Sequence, residues 1–469
     1  MRRQFLAVLA LLVLSGCASD PPAPLVDLTE GKPNVILIVV DTFRADHLGA
    51  YGNDAVKTPH LDAFAAEAIL FEDASSTSTW TLPSVASLYT GREPKAHRAI
   101  GAKHRRIDES LPVMAEVLKV RGYATWGQVA VDFLGPSFGM DRGFDNLDTQ
   151  LHGAVSTRYR SYQSRVAGAL SVPPASPWFG LIHFFDAHDP YRPPQPFDGM
   201  YYEGDPKKVP DDPSRRIDVI YDTERNRIGM NPEKRYSWLE GIQDLQYPVA
   251  QYAAGVTQVD DHLGGLFTRF RDSGRFDDSI VIVVADHGEH LTEHDLYFTH
   301  RFPYAETLHV PLMIRLPGGV QGGRRVTEPV SVVDVLPTLM ELIGEPLESA
   351  VDGISLVGAM RGEPIEERLL FAEFGSGARV WAKSVWNADW RYTEIKDKKV
   401  RTAELFDRRA DPREENDVAA ERSDVVETFR AALDLHYGTE RRWVDTGESK
   451  AVPIDEETAE RLRALGYIE

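Results

Sequence analysis

The 469-residue chain contains one cysteine, Cys17. A single thiol cannot close an internal disulfide, and once Cys17 is modified no cysteine nucleophile remains. Basic residues are also scarce, with 52 Lys and Arg against 72 Asp and Glu and a formal net charge of −20. A phosphate backbone is bound by clustered Lys and Arg, so no nucleic-acid partner is expected and any anionic substrate must be held locally. Apolar runs long enough to span a bilayer are missing: the longest, Phe5 to Leu14, is too short. There is no internal repeat. What remains is ordinary globular composition, 42% hydrophobic and 26% charged, with length enough for one large core and a smaller domain.

The opening "MRRQFLAVLALLVLSGC" has a basic start (Arg2, Arg3), the short apolar run and small residues ahead of Cys17. It resembles a bacterial lipoprotein signal, which implies cleavage after residue 16 and lipidation of Cys17. The Pro-rich stretch to residue 32 would then be a tether. Ala18 rather than Asp follows the Cys, which resembles the outer-membrane type. The expected address is the bacterial cell envelope, lipid-anchored, facing the periplasm or the surface, with the membrane as a partner through that anchor.

"NVILIVVD" and "SIVIVVADHG" are continuous β-branched runs without polar alternation, the signature of strands buried on both faces of a parallel sheet. "WFGLIHFFDAH" and "VPLMIRLPG" are similar, and helical patterns such as "TPHLDAFAAEAILF", "LPVMAEVLKVRGY" and "PVSVVDVLPTLMELIG" lie between them. Alternation of this kind predicts an α/β fold with a large, mostly parallel sheet flanked by helices. The catalytic domain is expected over 33–349, interrupted by an irregular 197–243 insertion, with a smaller α+β subdomain and tail over 350–469. So long an irregular segment points to a substrate-side role.

In parallel sheets ligands sit beyond the carboxyl ends of the strands, which is where Asp41 closes one run and Asp286 and His287 close another. Carboxylates with an imidazole suit a divalent ion such as Ca, Mg, Mn or Zn. "HFFDAHDPY" and "HGEHLTEHD" add His183, His188, His290 and His294 near similar strand ends. Thr81, in "TWTLPSVASLYTG", reads locally as a helix cap, followed by Pro83 in the first turn and Gly91 past the end. A helix N-terminus is equally where an anionic ester would dock.

Taken in order, "PNVILIVVDTFRADHLGAYG", "TLPSVASLYTG", "HFFDAHDPY", "DHGEHLTEHDLYFTHRFPYAETLHVPLMIRLPG", "DVLPTLMELIG" and "ELFDRRADPREENDV" resemble the sulfatase family of the alkaline phosphatase superfamily. The resemblance implies that fold, a divalent metal ion held by Asp41, Asp286 and His287, and a nucleophile at Thr81. His188 and His300 become candidates for acid, base or anion grip, while Thr42, His183, His290 and Arg301 are candidates for substrate or second-metal contacts. His287 stands where the family more often has Asn, and Thr42 where it has a second Asp.

The departures carry as much weight. Thr81 occupies the position of the Cys or Ser that sulfatases convert to formylglycine, and its Cβ methyl prevents that aldehyde. Val85 replaces the motif's Arg, Ala130-Val131-Asp132 replace a Lys-Trp-His stretch, and His300, followed by Arg301, replaces the active-site Lys. The expectation is a metal-dependent hydrolase of an anionic small-molecule, lipid or glycan ester, phosphoester (phosphodiester or phosphonate type) ahead of sulfate ester. The alternatives are a literal sulfatase of the arylsulfatase kind and a non-catalytic surface lipoprotein that binds an anionic glycan.

Overall fold

The computed structural model describes residues 32–100, 106–149, 177–223, 235–345, 347, 349–375, 380–397 and 400–438. Cys17, the expected signal peptide and all but the last residue of the expected tether lie outside them, as do part of the 197–243 segment and the final tail.

In chain order the strands are β1 (Asn34–Val40), β2 (Ile69–Phe71), β3 (Ala74–Ser75), β4 (Ala124–Gln128), β5 (Asn146–Asp148), β6 (Trp178–Phe184) and β7 (Ser279–Ala285). They continue with β8 (Leu312–Arg315), β9 (Arg325–Val326), β10 (Val330–Ser331), β11 (Leu370–Gly375), β12 (Val380–Trp386), β13 (Trp390–Asp397) and β14 (Val400–Asp407). Among the described residues the helices of eight residues or more are α1 (Pro59–Glu67), α2 (Thr81–Thr90), α3 (Gln246–Asp272), α4 (Val335–Leu342) and α5 (Ser423–Tyr437).

The unalternating β-branched runs become the centre of an eight-stranded sheet ordered β5-β4-β6-β1-β7-β8-β2-β9. Every residue of β1, β6 and β7 is buried. Each fully buried Val or Ile there contributes about 1.5–3 kcal/mol, so the sheet centre is the main store of stability. The order is parallel except for β8, which runs against both β7 and β2. Register then fixes the site: Val40 lies opposite Phe184 of β6 and Ala285 of β7, so Asp41 and Asp286 leave the sheet side by side.

One helical expectation changes at its end. The periodic stretch running to Phe71 stops being helix at Glu67, because Ile69–Phe71 is taken up as β2 beside β8, where all three side chains are buried. Tertiary pairing overrides the helical period there. The first N–H groups of α1, those of His60 and Leu61, donate to the Asp260 carboxylate of α3 at 3.2 and 2.7 Å, so a neighbouring helix supplies the cap.

The second layer is the antiparallel meander β11-β12-β13-β14 with α5 packed on it through Val426, Phe429 and Leu433. It begins later than residue 350, because Leu356, Val357 and Met360 belong to the main core. The two layers are joined by the Glu373 N–H donating to the Thr77 carbonyl at 3.0 Å and by the Ala305 N–H donating to Glu414 Oε2 at 3.0 Å. The described insertion lies on α3: Gly199 N–H donates to Gln251 at 2.9 Å, and the Tyr201 and Thr257 hydroxyls are 2.7 Å apart.

Candidate active site

Asp41, Asp286 and His287 are fully or almost fully buried, and their ligating atoms lie within 4.8 Å of one another. Hydrogen bonds decide which atoms face inward. Asp286 Oδ1 accepts from the N–H groups of His287 at 2.7 Å and Thr42 at 3.2 Å, which leaves Oδ2 without a partner. His287 Nδ1 lies 2.8 Å from the Gly288 carbonyl, which can only accept, so Nδ1 carries the proton and Nε2 presents a lone pair. That lone pair sits 3.5 Å from Asp286 Oδ2 and 3.8 Å from Asp41 Oδ1. Three acceptors thus face one another in a buried space with no donor between them, and only a cation or protons can satisfy them. The donor set of two carboxylates and one imidazole fits a divalent ion.

Electrostatics agree with that reading. Burial and the adjacent Asp41 carboxylate push Asp286 up to about 6. Burial also opposes ionisation of Asp41, but the imidazoles of His183, His188 and His287 outweigh it and hold this carboxyl below its usual range.

His183, in contrast to His287, is turned as a donor. Its Nδ1 accepts from the Ala130 N–H at 3.4 Å, so the proton resides on Nε2, 3.6 Å from Asp41 Oδ2. It therefore orients Asp41 rather than joining the ligand set. Thr42 adopts φ +52°, a left-handed conformation that costs a β-branched residue about 1–3 kcal/mol. The turn aims its N–H at Asp286 and its carbonyl at the Tyr252 hydroxyl, 2.7 Å away, and leaves its buried Oγ1 without a partner.

Thr81 is the first residue of α2, with Trp80 at the cap position and no side-chain cap bond. Its hydroxyl donates to Asp41 Oδ2 at 3.2 Å instead of accepting from a helix N–H, so the local capping interpretation does not hold. Gly91 does end the helix as its pattern predicts, at φ +62°. Asp41 thus receives donors on Oδ2 and turns Oδ1 to the acceptor cluster.

Around this centre the His188 ring stacks on Phe185 at 4.3 Å, and the His300 ring lies 4.8 Å from His287 and 5.5 Å from His188. Burial disfavours the His188 imidazolium, but Asp189, Asp41 and Glu289 outweigh it and raise it to about 9. Burial and the neighbouring His287 and His188 keep His300 neutral. His188 is the buried cation at the centre, and His300 is an uncharged polar group beside it.

His290 and His294 do not join this cluster. His290 Nε2 donates to the Arg301 carbonyl at 2.7 Å, and its Nδ1 faces Glu306 at 3.9 Å. His294 lies 3.4 Å from the same Glu306 oxygen and stacks on Tyr304. Arg301 enters the hydrogen-bond network here through its backbone. At the positions where the family resemblance implies basic grips, Val85 is core and Asp132 is partly exposed.

Several residues of the site were not singled out by sequence. Glu289, two places after His287, is buried and pushed up to about 8 by burial and by Asp189. Asp189 sits directly after His188, and Arg235 in the insertion pairs with it at 3.0 Å. Adjacency within "DHGE" and "AHDPY" is signal enough for the first two; no sequence feature marks Arg235.

The Sulfatase family model matches residues 33–345, and that of the N-sulphoglucosamine sulphohydrolase C-terminal region matches residues 292–435. An arylsulfatase of Clostridium perfringens is 25% identical over 388 residues, covering 69% of this chain and 78% of its own. A choline-sulfatase of Rhizobium meliloti is 25% identical over 478 residues, covering 89% and 91%. Among solved structures, the phosphonate monoester hydrolase of Agrobacterium radiobacter superposes with a TM-score of 0.68 at 22% identity, over 87% of this chain and 96% of that one. The matched span contains both strand ends and the α2 N-terminus, so the chain belongs to the sulfatase family and is an ester hydrolase acting on phosphate or sulfate esters.

Proposed function

We propose that this chain hydrolyses a phosphoester, of phosphodiester or phosphonate type, with Thr81 as the nucleophile. The observation that carries the reading is the Thr81 hydroxyl at the N-terminus of α2, bonded to Asp41 beside the acceptor cluster. A divalent ion held by Asp41, Asp286 and His287 would act as a Lewis acid, acidifying the Thr81 hydroxyl and neutralising ester oxygens. Thr81 Oγ1, its proton released along the hydrogen bond to Asp41 Oδ2, forms a bond to phosphorus as the bond to the leaving oxygen breaks in line, and water then cleaves the Thr81 ester and returns a proton to Oγ1. His188, the cation of the site, donates its proton to the leaving oxygen, and neutral His300 contacts the bound anion.

Preference for phosphorus over sulfur is supported by chemistry. The Cβ methyl of Thr81 excludes formylglycine, and Val85, Ala130 and Asp132 offer no cation to a sulfate. The testing experiment is a panel of aryl phosphate monoesters, phosphodiesters, phosphonates and sulfates assayed with Ca, Mg, Mn and Zn. We expect the highest kcat/KM on phosphodiesters or phosphonate monoesters; a sulfate ester turned over fastest under every ion would overturn the assignment.

The same role predicts a pH limb. His188 must be protonated to act as an acid, so kcat/KM should fall above about pH 9. Because its folded value lies above the unfolded 6.5, the stability it contributes is fully present below pH 6.5 and is lost as pH rises through about 9. A profile flat to pH 10 on a substrate with a poor leaving group would remove His188 from that role.

For location, we propose a lipid anchor at Cys17, supported by the basic, apolar and small-residue order around it. Cys17→Ala should lose acyl mass and leave the membrane fraction. Unchanged fractionation of the variant, with no acyl group on the wild-type protein, would refute the anchor.

A further inference from the structure

We infer that Asp189 is a positioning residue: its carboxylate holds the His188 ring and is itself held by Arg235, so a residue of the insertion sets the orientation of the imidazole that serves the leaving group. This inference rests on the role of His188 proposed above. His188 Nδ1 lies 3.0 Å from Asp189 Oδ1 and 2.8 Å from the Asp189 carbonyl, contacts that place the proton on Nδ1 and fix the direction of Nε2. Phe185, stacked on the ring, fixes its plane.

The Arg235 guanidinium meets the same carboxylate with both ends of its fork, Nη1 to Oδ2 and Nη2 to Oδ1, each at 3.0 Å. Nη2 also donates to the Phe298 carbonyl at 3.3 Å, and the neighbouring Tyr236 hydroxyl donates to the Tyr297 carbonyl at 2.8 Å. Arg235 is therefore clamped to the loop beyond β7 as well as to Asp189. Asp189 is 4% exposed and the Arg235 side chain 9%, so neither charge is screened by water and each requires the other. The planar fork makes the pair directional, which a lysine at this place would not reproduce.

The charges facing His188 come from four directions. Asp189 lies on its own loop, Asp41 at the end of β1, Glu289 with His287 and His300 beyond β7, and Arg235 on the insertion behind Asp189. Of the groups around His188, Asp189 contacts both the ring and the insertion. Neutralising it removes the negative charge at Nδ1, where the Asp189 carbonyl still accepts, and leaves Arg235 buried without its counter-ion. Neutralising Arg235 leaves the Asp189–His188 contact in place but unanchored.

The experiment compares Asp189→Asn, Arg235→Gln, Arg235→Lys and the Asn/Gln double variant in the full chain loaded with metal. Asp189→Asn should lower kcat roughly ten- to hundredfold, the usual effect of removing the partner that orients a functional histidine. KM should change less than about threefold, since the anion contacts remain. The basic limb of the pH profile should move to lower pH in Asp189→Asn and should not do so in Arg235→Gln, which keeps the carboxylate. If Arg235 acts through Asp189, the double variant should match Asp189→Asn alone rather than multiply the two losses. Arg235→Lys, charged but without the fork, should fall between wild type and Arg235→Gln and provides a folded variant should the neutral ones unfold.

Wild-type kcat with an unshifted limb in Asp189→Asn, or losses that multiply in the double variant, would overturn the inference. NMR titration of the His188 imidazole in wild type and Asp189→Asn reads the contact without turnover: a lowered midpoint supports it and an unchanged one overturns it. A wild-type enzyme inactive on every ester would instead defeat the functional proposal alone.

Discussion

Thr81→Ala is expected to lose roughly three to five orders of magnitude in kcat while keeping its fold and its bound metal, because removing a nucleophile removes the reaction path itself. The structure separates this from a structural defect. The Thr81 hydroxyl caps no N–H of α2, so its loss costs about 1 kcal/mol for the hydrogen bond to Asp41 and no more. α2 is buried along its whole length and ends in a left-handed Gly91, so the helix that carries residue 81 is fixed independently of that side chain. Thr81→Ser keeps an oxygen in the same place and should retain turnover within about tenfold of wild type, with the difference arising from freer rotation about χ1 once the methyl is gone. The measurement is kcat on a chromogenic aryl phosphodiester, with metal content and melting temperature determined on the same samples. Near-wild-type turnover by Thr81→Ala would return the residue to a structural role and leave the ester to be attacked by water.

Much of this site is legible in sequence because parallel sheets put chemistry in a fixed place. An Asp directly after an unalternating β-branched run had to emerge at a strand end, and two such runs in one parallel sheet had to bring Asp41 and Asp286 close if they were neighbours. Strand order is not a local property. The sequence pattern could have placed any of the other three buried runs beside β1, and it is the pairing of β1 with both β6 and β7 that brings His183 under Asp41 and His287 beside it. The opposite proton placements of these two histidines were equally hidden. They are dictated by one backbone N–H, that of Ala130, and one backbone carbonyl, that of Gly288, neither of which has a side-chain signature. Residue type found both histidines; hydrogen-bond direction divided their roles. His290, a candidate for a substrate or second-metal contact, is turned by its loop onto Glu306 and lies outside the Asp41 cluster. Arg235 was invisible because an irregular segment has no period from which to infer which side chain turns inward.

Asp286→Asn is expected to abolish metal binding and activity and, in metal-free protein, to raise stability. The substitution changes almost nothing in the hydrogen bonds that hold residue 286, because an amide oxygen can still accept from the N–H groups of Thr42 and His287. What it changes is the inward atom. An NH₂ replaces Oδ2 and donates to acceptors that otherwise face only each other, Asp41 Oδ1 and His287 Nε2. The sign of the stability effect follows from titration. Burial and Asp41 raise the folded value of Asp286 from 3.8 to about 6, so above pH 6 its charge costs the folded state more than the unfolded one. A shift of this size corresponds to something on the order of 1–3 kcal/mol at neutral pH. That cost shrinks as pH falls from 6 toward 3.8 and vanishes below, where the carboxyl is protonated in both states, so the advantage of the variant should disappear on acidification. A divalent ion reverses the ranking, since it binds only the native cluster of wild type and stabilises it by mass action. Melting curves with a chelator and with added ion should therefore cross: the variant is more stable without ion, wild type with it. A variant that melts below wild type in chelator at pH 7 would mean that the N–H groups around Asp286 already satisfy its charge, and stoichiometric metal in the variant would mean that the ion is held elsewhere.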